Sequence, residues 1–136
     1  MKRAFIFSLC LIFVGCFIGK AQNPLNGTSA SLSSQIEVYY FHFNVRCETC
    51  RAVEAEAKAD VESLYSGMVS FKAINLDDAA SKAISDKLRI SGQTLLIVKR
   101  DKQINLTNEG FLYARTNPDK LKSIIKQKVD SFLVHN

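Results

Sequence analysis

The stretch FHFNVRCETCR, residues 41–51, is the most informative part of the sequence for predicting the fold. It opens in an aromatic and β-branched run typical of a buried strand, and Cys47 and Cys50 follow with the spacing Cys-x-x-Cys. An amphipathic helical pattern begins directly afterwards. A thiol at a helix N-terminus lies beside unpaired backbone N–H groups at the positive end of the helix dipole, which favours the thiolate. The pair therefore predicts thiol–disulfide chemistry, with Cys47 and Cys50 as the catalytic residues.

Two other uses of the same thiols stay open. One is a static structural disulfide, although the position at a helix start favours reactivity. The other is a non-catalytic module that binds copper, zinc or arsenite through Cys47 and Cys50, because thiolates favour soft metals. Beyond a redox-active disulfide no cofactor is expected, since the chain has no Gly-rich dinucleotide loop.

The N-terminus reads as an export signal spanning residues 1–21. Lys2 and Arg3 form a positive start, residues 4–19 are almost entirely apolar, and the small residues around Lys20 resemble a signal-peptidase site. The apolar run is shorter than the roughly 20 residues of a membrane span. A lipobox-like alternative would instead lipidate Cys16 and attach the chain to a membrane. Residues 22–35, rich in Asn, Ser and Gly, predict a flexible tether, and the mature protein is expected to be periplasmic or extracellular.

The net charge and the number of cysteines argue against two classes of protein, nucleic-acid-binding proteins and small disulfide-stapled domains. Removal of the signal takes away Lys2, Arg3 and Lys20 and lowers the net charge from +5 to +2. The remaining sequence has no basic stripe interleaved with aromatic residues, so a nucleic-acid partner is not expected. A single close cysteine pair differs from the dense framework of a disulfide-stapled mini-domain. We expect a monomeric domain over residues 36–136.

Hydrophobic patterning predicts an α/β domain with the element order β-α-β-α-β-β-α. The apolar residues alternate or run continuously in four segments and recur at helical spacing in three others. The predicted strands are residues 36–43, 69–76, 94–98 and 104–107. Helices are predicted from the cysteines to Gly67, after Asp77 with Ala80, Ile84 and Leu88 facing inward, and from Pro118 with Asn117 as its N-cap. This order indicates a central mixed sheet of about four strands flanked by helices.

This order, with Cys-x-x-Cys at the first helix, resembles the thioredoxin-like superfamily from residue 36 to the C-terminus. Further marks are Asn75-Leu76-Asp77, Thr94-Leu95-Leu96 and Gly110. The resemblance implies a thioredoxin-like fold, Cys47 as the attacking thiolate and Cys50 as the resolving thiol. It also implies a protein disulfide or dithiol as substrate and a redox partner protein.

More narrowly, residues 40–54 resemble the ArsF family of arsenic-resistance operons, nominally a nitrophenyl compound nitroreductase subunit. This resemblance implies a redox subunit that needs a partner protein. A nitroreductase would need a flavin or nicotinamide, for which the chain has no motif.

Three departures from the superfamily pattern bear on the site. Arg46 stands where a tryptophan commonly precedes the first cysteine, and Phe41 and Ala73 replace a buried acid and its lysine partner. Gln93 stands where the superfamily has a cis-proline, so a trans peptide is expected there. Gln93, Thr94 and Arg46 are therefore the predicted substrate-binding residues.

The charges and the histidines near the cysteines are open to more than one interpretation. Arg46 and Arg51 favour a thiolate, whereas Glu48 between the cysteines opposes it, so the redox direction is not fixed. Strand alternation places His42 among apolar neighbours, which favours a core histidine over a proton donor or a third ligand. His135, next to the chain end, is expected to be solvated.

Overall fold

Four strands and four helices follow one another in the computed structural model, which describes residues 35–134. The strands are β1 (Ile36–His42), β2 (Val69–Asn75), β3 (Thr94–Lys99) and β4 (Lys102–Asn105). The helices are α1 (Glu48–Tyr65), α2 (Lys82–Leu88, preceded by a 3-10 turn at Ala79–Ser81), α3 (Thr107–Tyr113) and α4 (Pro118–Val134). The export signal, the lipidation alternative at Cys16, nearly all of the tether and His135 fall outside the described residues. Within residues 35–134, no helix is long and apolar enough to cross a membrane.

The strands form one mixed sheet in the order β2-β1-β3-β4. β1 pairs parallel with β2 and antiparallel with β3, and β3 pairs antiparallel with β4. The parallel pair requires a crossover connection, which α1 supplies. This arrangement confirms the predicted mixed α/β sheet flanked by helices, and it makes β1 and β3 the buried central strands.

The two faces of the sheet are covered unequally. On one face, Val38 and Tyr40 of β1 and Leu95 of β3 pack in a large core with residues of α1 and α4. Because strand side chains alternate between faces, Tyr39 and Phe41 point to the opposite face. There they form a smaller cluster with Leu88 of α2, Leu96 and Val98. This second face has only the seven-residue helix α2 packed against it in the part of the chain that the structure describes.

Helix α1 positions the cysteines at its N-terminus and is fixed along its length by burial. Its apolar stripe is buried, as the helical spacing predicts; the residues are Val53, Ala57, Val61 and Tyr65. The Tyr65 hydroxyl donates to the Lys126 carbonyl oxygen (3.2 Å) and to Asp130 Oδ1 (2.8 Å), which ties the end of α1 to α4. The helix ends at Tyr65, and the turn that follows contains Gly67, whose φ of +90° is a conformation that glycine adopts without a Cβ penalty.

The structure differs from the sequence prediction at the second helix and in the segment before α4. In α2 and its preceding turn, Ser81 and Ser85 are buried with Leu88, whereas Ala80 is exposed. The fourth strand ends at Asn105, and residues Thr107–Tyr113 form α3, which the predicted order lacks. Asn105 Oδ1 accepts a hydrogen bond from the Thr107 backbone N–H (2.9 Å). This local bond stabilises the turn between the end of β4 and the start of α3.

Candidate active site

Cys47 and Cys50 form a disulfide at the start of α1, with their Cα atoms 5.1 Å apart. Cys47 is the N-cap of the helix, and its Sγ accepts a hydrogen bond from the Cys50 backbone N–H at 3.1 Å. Cys47 is exposed, whereas Cys50 is only 3% exposed. The structure thus distinguishes an accessible sulfur beside the positive end of the helix from a buried sulfur behind it.

The charged side chains around the cysteines are paired with partners that the sequence did not indicate. Arg46 forms a half-buried ion pair with Glu54 one and a half turns into α1, and Arg51 Nη1 donates to the Arg46 carbonyl oxygen at 3.1 Å. Glu48 Oε2 lies 3.2 Å from Arg115 Nη1 in the turn before α4. Because Arg115 offsets the charge of Glu48, the carboxylate between the cysteines opposes a thiolate less than the local sequence implies.

Gln93 brings the loop before β3 against the buried cysteine. Its Oε1 lies 3.2 Å from Cys50 Sγ. The described residues contain no cis peptide bond, so the peptide at Gln93 is trans, as expected for a residue other than proline. The neighbouring Thr94 is buried, and its hydroxyl donates to the Gly92 carbonyl oxygen at 2.9 Å. Of the three predicted substrate-binding residues, Gln93 contacts the cysteine pair, Thr94 supports the loop and Arg46 is held by Glu54.

A tyrosine occupies the sheet face on which α1 packs. Tyr40 is fully buried in that core together with Val38, whereas Phe41 points to the other face. Burial raises the pKa of Tyr40, and the positive charge of Arg46 offsets part of the rise. The Tyr40 hydroxyl and Arg46 Nε are buried without a hydrogen-bond partner among the described residues.

His42 is half-buried at the end of β1. Its ring stacks on Tyr40 with the centroids 6.1 Å apart, and its Nδ1 lies 3.1 Å from the Phe43 carbonyl oxygen. The carbonyl is an acceptor, so this contact requires a proton on Nδ1. Neither contact involves a cysteine, and His42 is only partly buried at the edge of the core rather than enclosed in it.

Three residues of the site were missed by reasoning from the sequence. Glu54 lies further along α1 and pairs with Arg46, whereas Arg115 is brought to Glu48 by tertiary structure, and no local pattern points to either ion pair. Tyr40 could have been found from strand alternation, since it lies two positions before His42 on the same face. No group of three or more His, Cys, Asp and Glu side chains able to hold a metal ion occurs within residues 35–134.

Comparisons with known proteins support the fold. No protein-family model matches the chain, and no curated protein is similar to it at a significant level. The narrower resemblance to the ArsF family therefore has no support. A solved malarial protein is 16% identical with a TM-score of 0.48, the match covering 69% of this chain and 97% of that one. Trxlp, a thioredoxin-like protein of Edwardsiella tarda EIB202, is 17% identical with a TM-score of 0.50, covering 73% of this chain and 94% of its own.

Identity this low carries no activity from Trxlp to this protein, but the architectures agree. A four-stranded mixed sheet flanked by helices places a Cys-x-x-Cys disulfide at the start of the first helix. The chain has a thioredoxin-like fold with the Cys47–Cys50 disulfide at the start of its first helix.

Proposed function

We propose that this protein is an exported thiol–disulfide oxidoreductase in which Cys47 attacks and Cys50 resolves. The observation that carries the proposal is the asymmetry of the pair: Cys47 is an exposed N-cap and Cys50 is buried beside it. The hydrogen bond from the Cys50 N–H and the helix dipole both stabilise a negative charge on Cys47 Sγ. An accessible, stabilised thiolate is the group that thiol–disulfide exchange requires.

Exchange proceeds in two balanced steps. In the reducing direction, the Cys47 thiolate attacks one sulfur of a substrate disulfide, forms a mixed disulfide and releases the other substrate sulfur as a thiolate. Cys50, once deprotonated, then attacks Cys47 Sγ, which forms the Cys47–Cys50 disulfide and releases the second substrate thiolate. Two electrons pass from the protein to the substrate, and the same steps reversed oxidise a substrate dithiol.

The surroundings of Cys47 suit a protein substrate. Gln93 presents an amide beside Cys50, Thr94 holds the loop that carries Gln93, and Arg46 directly precedes Cys47. Val45, just before Arg46, is 89% exposed and offers an apolar contact to a docked chain. We therefore assign Gln93, Thr94 and Arg46 to substrate binding and expect a second protein to exchange electrons with the pair. The signal-like pattern of residues 1–21 is what supports a periplasmic or extracellular setting for this reaction.

Serine variants test the assignment of the two cysteines. Cys47→Ser should abolish the acceleration that the protein gives to insulin reduction by dithiothreitol, whereas reduced Cys50→Ser, mixed with insulin after dithiothreitol has been removed, should accumulate a mixed disulfide that mass spectrometry detects. The Cys50→Ser variant keeps the Cys47 thiolate that attacks the substrate disulfide. It lacks the thiol that would release the substrate from Cys47, so the mixed disulfide remains. Retained turnover in Cys47→Ser would contradict the proposal.

A redox titration in glutathione or dithiothreitol buffers tests the same pair without a substrate protein. We expect a reversible two-electron transition between about −270 and −120 mV, the range of catalytic dithiols. A potential below about −300 mV would instead identify a structural disulfide. Stoichiometric binding of copper, zinc or arsenite by the reduced protein, without disulfide turnover, would replace the proposal by the metal-binding alternative.

A further inference from the structure

A groove of about 780 Å³ lies on the less covered face of the sheet, between α2, β3 and β4. Its apolar floor consists of Leu88, Ile90 and Leu96. None of its lining residues belongs to the Cys47–Cys50 site. A cavity of this volume is within the range of small-molecule sites, which combine an apolar lining with a few polar groups.

The rim of the groove is positively charged. Lys87, Arg89 and Arg100 line it, and Asp101 is the one acidic residue among the lining side chains. Within residues 35–134, no carboxylate oxygen lies within 4.0 Å of a side-chain nitrogen of these three cations. On the β4 side, Gln103 and Asn105 add amide donors. An anion entering the groove therefore meets cationic and amide donors above an apolar floor.

The backbone at both arginines argues that their side chains are needed. Arg89 ends α2 with φ 58° and ψ 44°, and Arg100 begins the β3–β4 turn with φ 55°. These are left-handed conformations, which favour glycine or asparagine and strain a residue with a longer side chain. Strain of this kind is a feature of functional positions. The chain holds two arginines in it, and both border the same groove.

We propose that this groove binds a small organic anion in which a carboxylate or phosphate is attached to an apolar body. Arg89 and Arg100 hold the anionic group as charge-assisted donors, with Lys87 adding a third positive charge. The apolar body rests chiefly on Ile90, which is only partly buried, whereas Leu88 and Leu96 are buried beneath the groove. This site is independent of the thiol chemistry proposed above.

Titration with 1-naphthyl phosphate and 1-naphthoate, followed by the backbone amide signals in NMR, tests the proposal. We expect both probes to shift signals of the groove residues, with a dissociation constant below about 1 mM. Inorganic phosphate, which lacks the apolar body, and 1-naphthylmethylammonium, which carries the opposite charge, should bind at least about tenfold more weakly. Equal binding of the cationic probe would overturn the proposal, because the groove would then be only an apolar patch.

Glycine substitution separates ligand binding from folding. The double variant Arg89→Gly/Arg100→Gly relieves the strained backbone, so its melting temperature should not fall, while it should weaken naphthyl phosphate about tenfold. Arg89→Lys/Arg100→Lys should retain most of the binding. Lys58→Gln/Lys120→Gln removes the same charge from exposed positions on α1 and α4 and should change nothing.

Lys87→Gln, which leaves both turns intact, gives an independent measure and should also weaken the probe severalfold. Unchanged affinity in both Arg89→Gly/Arg100→Gly and Lys87→Gln would refute the assignment.

Discussion

At the scale of single residues, Gln93 is the side chain that most distinguishes this site. It occupies the place of the proline that the superfamily resemblance implies, and its Oε1 lies 3.2 Å from Cys50 Sγ. In the dithiol state the Cys50 S–H can donate to that oxygen. In the thiolate state the amide can turn so that its NH2 donates to the sulfur. One neutral side chain can thus serve both protonation states of the resolving cysteine.

A charged replacement of Gln93 should slow the resolving step. In the Cys47→Ser background, where Cys50 is the remaining cysteine of the predicted mature domain, Gln93→Glu places a carboxylate beside the sulfur and disfavours the thiolate. We expect alkylation of Cys50 by iodoacetamide at pH 8 to slow about tenfold, and Gln93→Ala to have a smaller effect. Gln127→Glu, on the exposed side of α4, adds the same charge and should leave the rate unchanged. Equal rates for the two Glu variants would show that Gln93 does not act on Cys50.

The sequence predicted this site only where the information was local. The cysteine pair, its position at a helix start and the unusual Gln93 were all visible in the sequence. The pairing of Glu48 with Arg115 was not, because it depends on how the turn before α4 packs against α1. Phe41 was expected to replace a buried acid of the superfamily; the alternation of β1 puts Phe41 on the sheet face opposite α1 and Tyr40 on the face that α1 covers.

At the scale of elements, α3 depends on tertiary packing. A Cβ built on Gly110 would lie 3.0 Å from Val53 Cγ1 and 3.3 Å from Leu95 Cδ2, so a larger residue fits between α3, α1 and β3 only if these side chains move by a few tenths of an ångström. Glycine inside a seven-residue segment is a weak helix signal. The strands and the other helices show clear hydrophobic periodicity, whereas α3 is stabilised by contacts that are distant in sequence. The alternation of Ile104 and Leu106 therefore suggested a longer strand.

Alanine at this position should destabilise the protein. Gly110→Ala forces Val53 and Leu95 to move, and overpacking of this kind costs typically about 1–3 kcal/mol. Gly92→Ala is the matched control, because a Cβ at Gly92 has no heavy atom within 4 Å and its φ is not positive. We expect urea unfolding to show a clear loss of stability for Gly110→Ala and a change of less than about 1 kcal/mol for Gly92→Ala. Equal stability of the two variants would mean that α3 can shift away from α1.

At the scale of the whole molecule, Asp60 links stability to pH. It is buried on α1, its Oδ1 lies 3.7 Å from Lys122 Nζ, and its Oδ2 has no hydrogen-bond partner among the described residues. Burial raises the pKa of Asp60, and Lys122 offsets part of the rise. The folded protein therefore binds the Asp60 proton more tightly than the unfolded chain, and ionisation of this carboxyl opposes folding as the pH rises.

Neutralising Asp60 should stabilise the protein at neutral pH. Asp60→Asn removes the buried charge, so its free energy of unfolding should exceed that of the wild type at pH 7. The gain should fade as the pH falls through the raised pKa of folded Asp60 toward about 3.9, and it should be absent below that value, where the carboxyl is protonated in the folded and the unfolded chain alike. Urea titrations at pH 7 and pH 3.5 measure both differences. Glu62→Gln, an exposed change on the same helix, should give no pH-dependent gain, and a gain for Asp60→Asn that is the same at both pH values would contradict the argument.

The N-cap of α1 couples the redox state of the pair to the stability of the fold. Cys47 Sγ accepts a hydrogen bond from the Cys50 backbone N–H at the positive end of α1. A negatively charged thiolate at this position stabilises the helix N-terminus more than a neutral disulfide sulfur does. In a thermodynamic cycle, the difference in unfolding free energy between the reduced and oxidised protein equals the difference in reduction potential between the folded and unfolded chain. About 30 mV in that potential corresponds to about 1.4 kcal/mol. Helix α1 therefore links stability to redox behaviour: the more it stabilises the reduced form of the folded protein relative to the disulfide form, the stronger an oxidant the folded protein becomes.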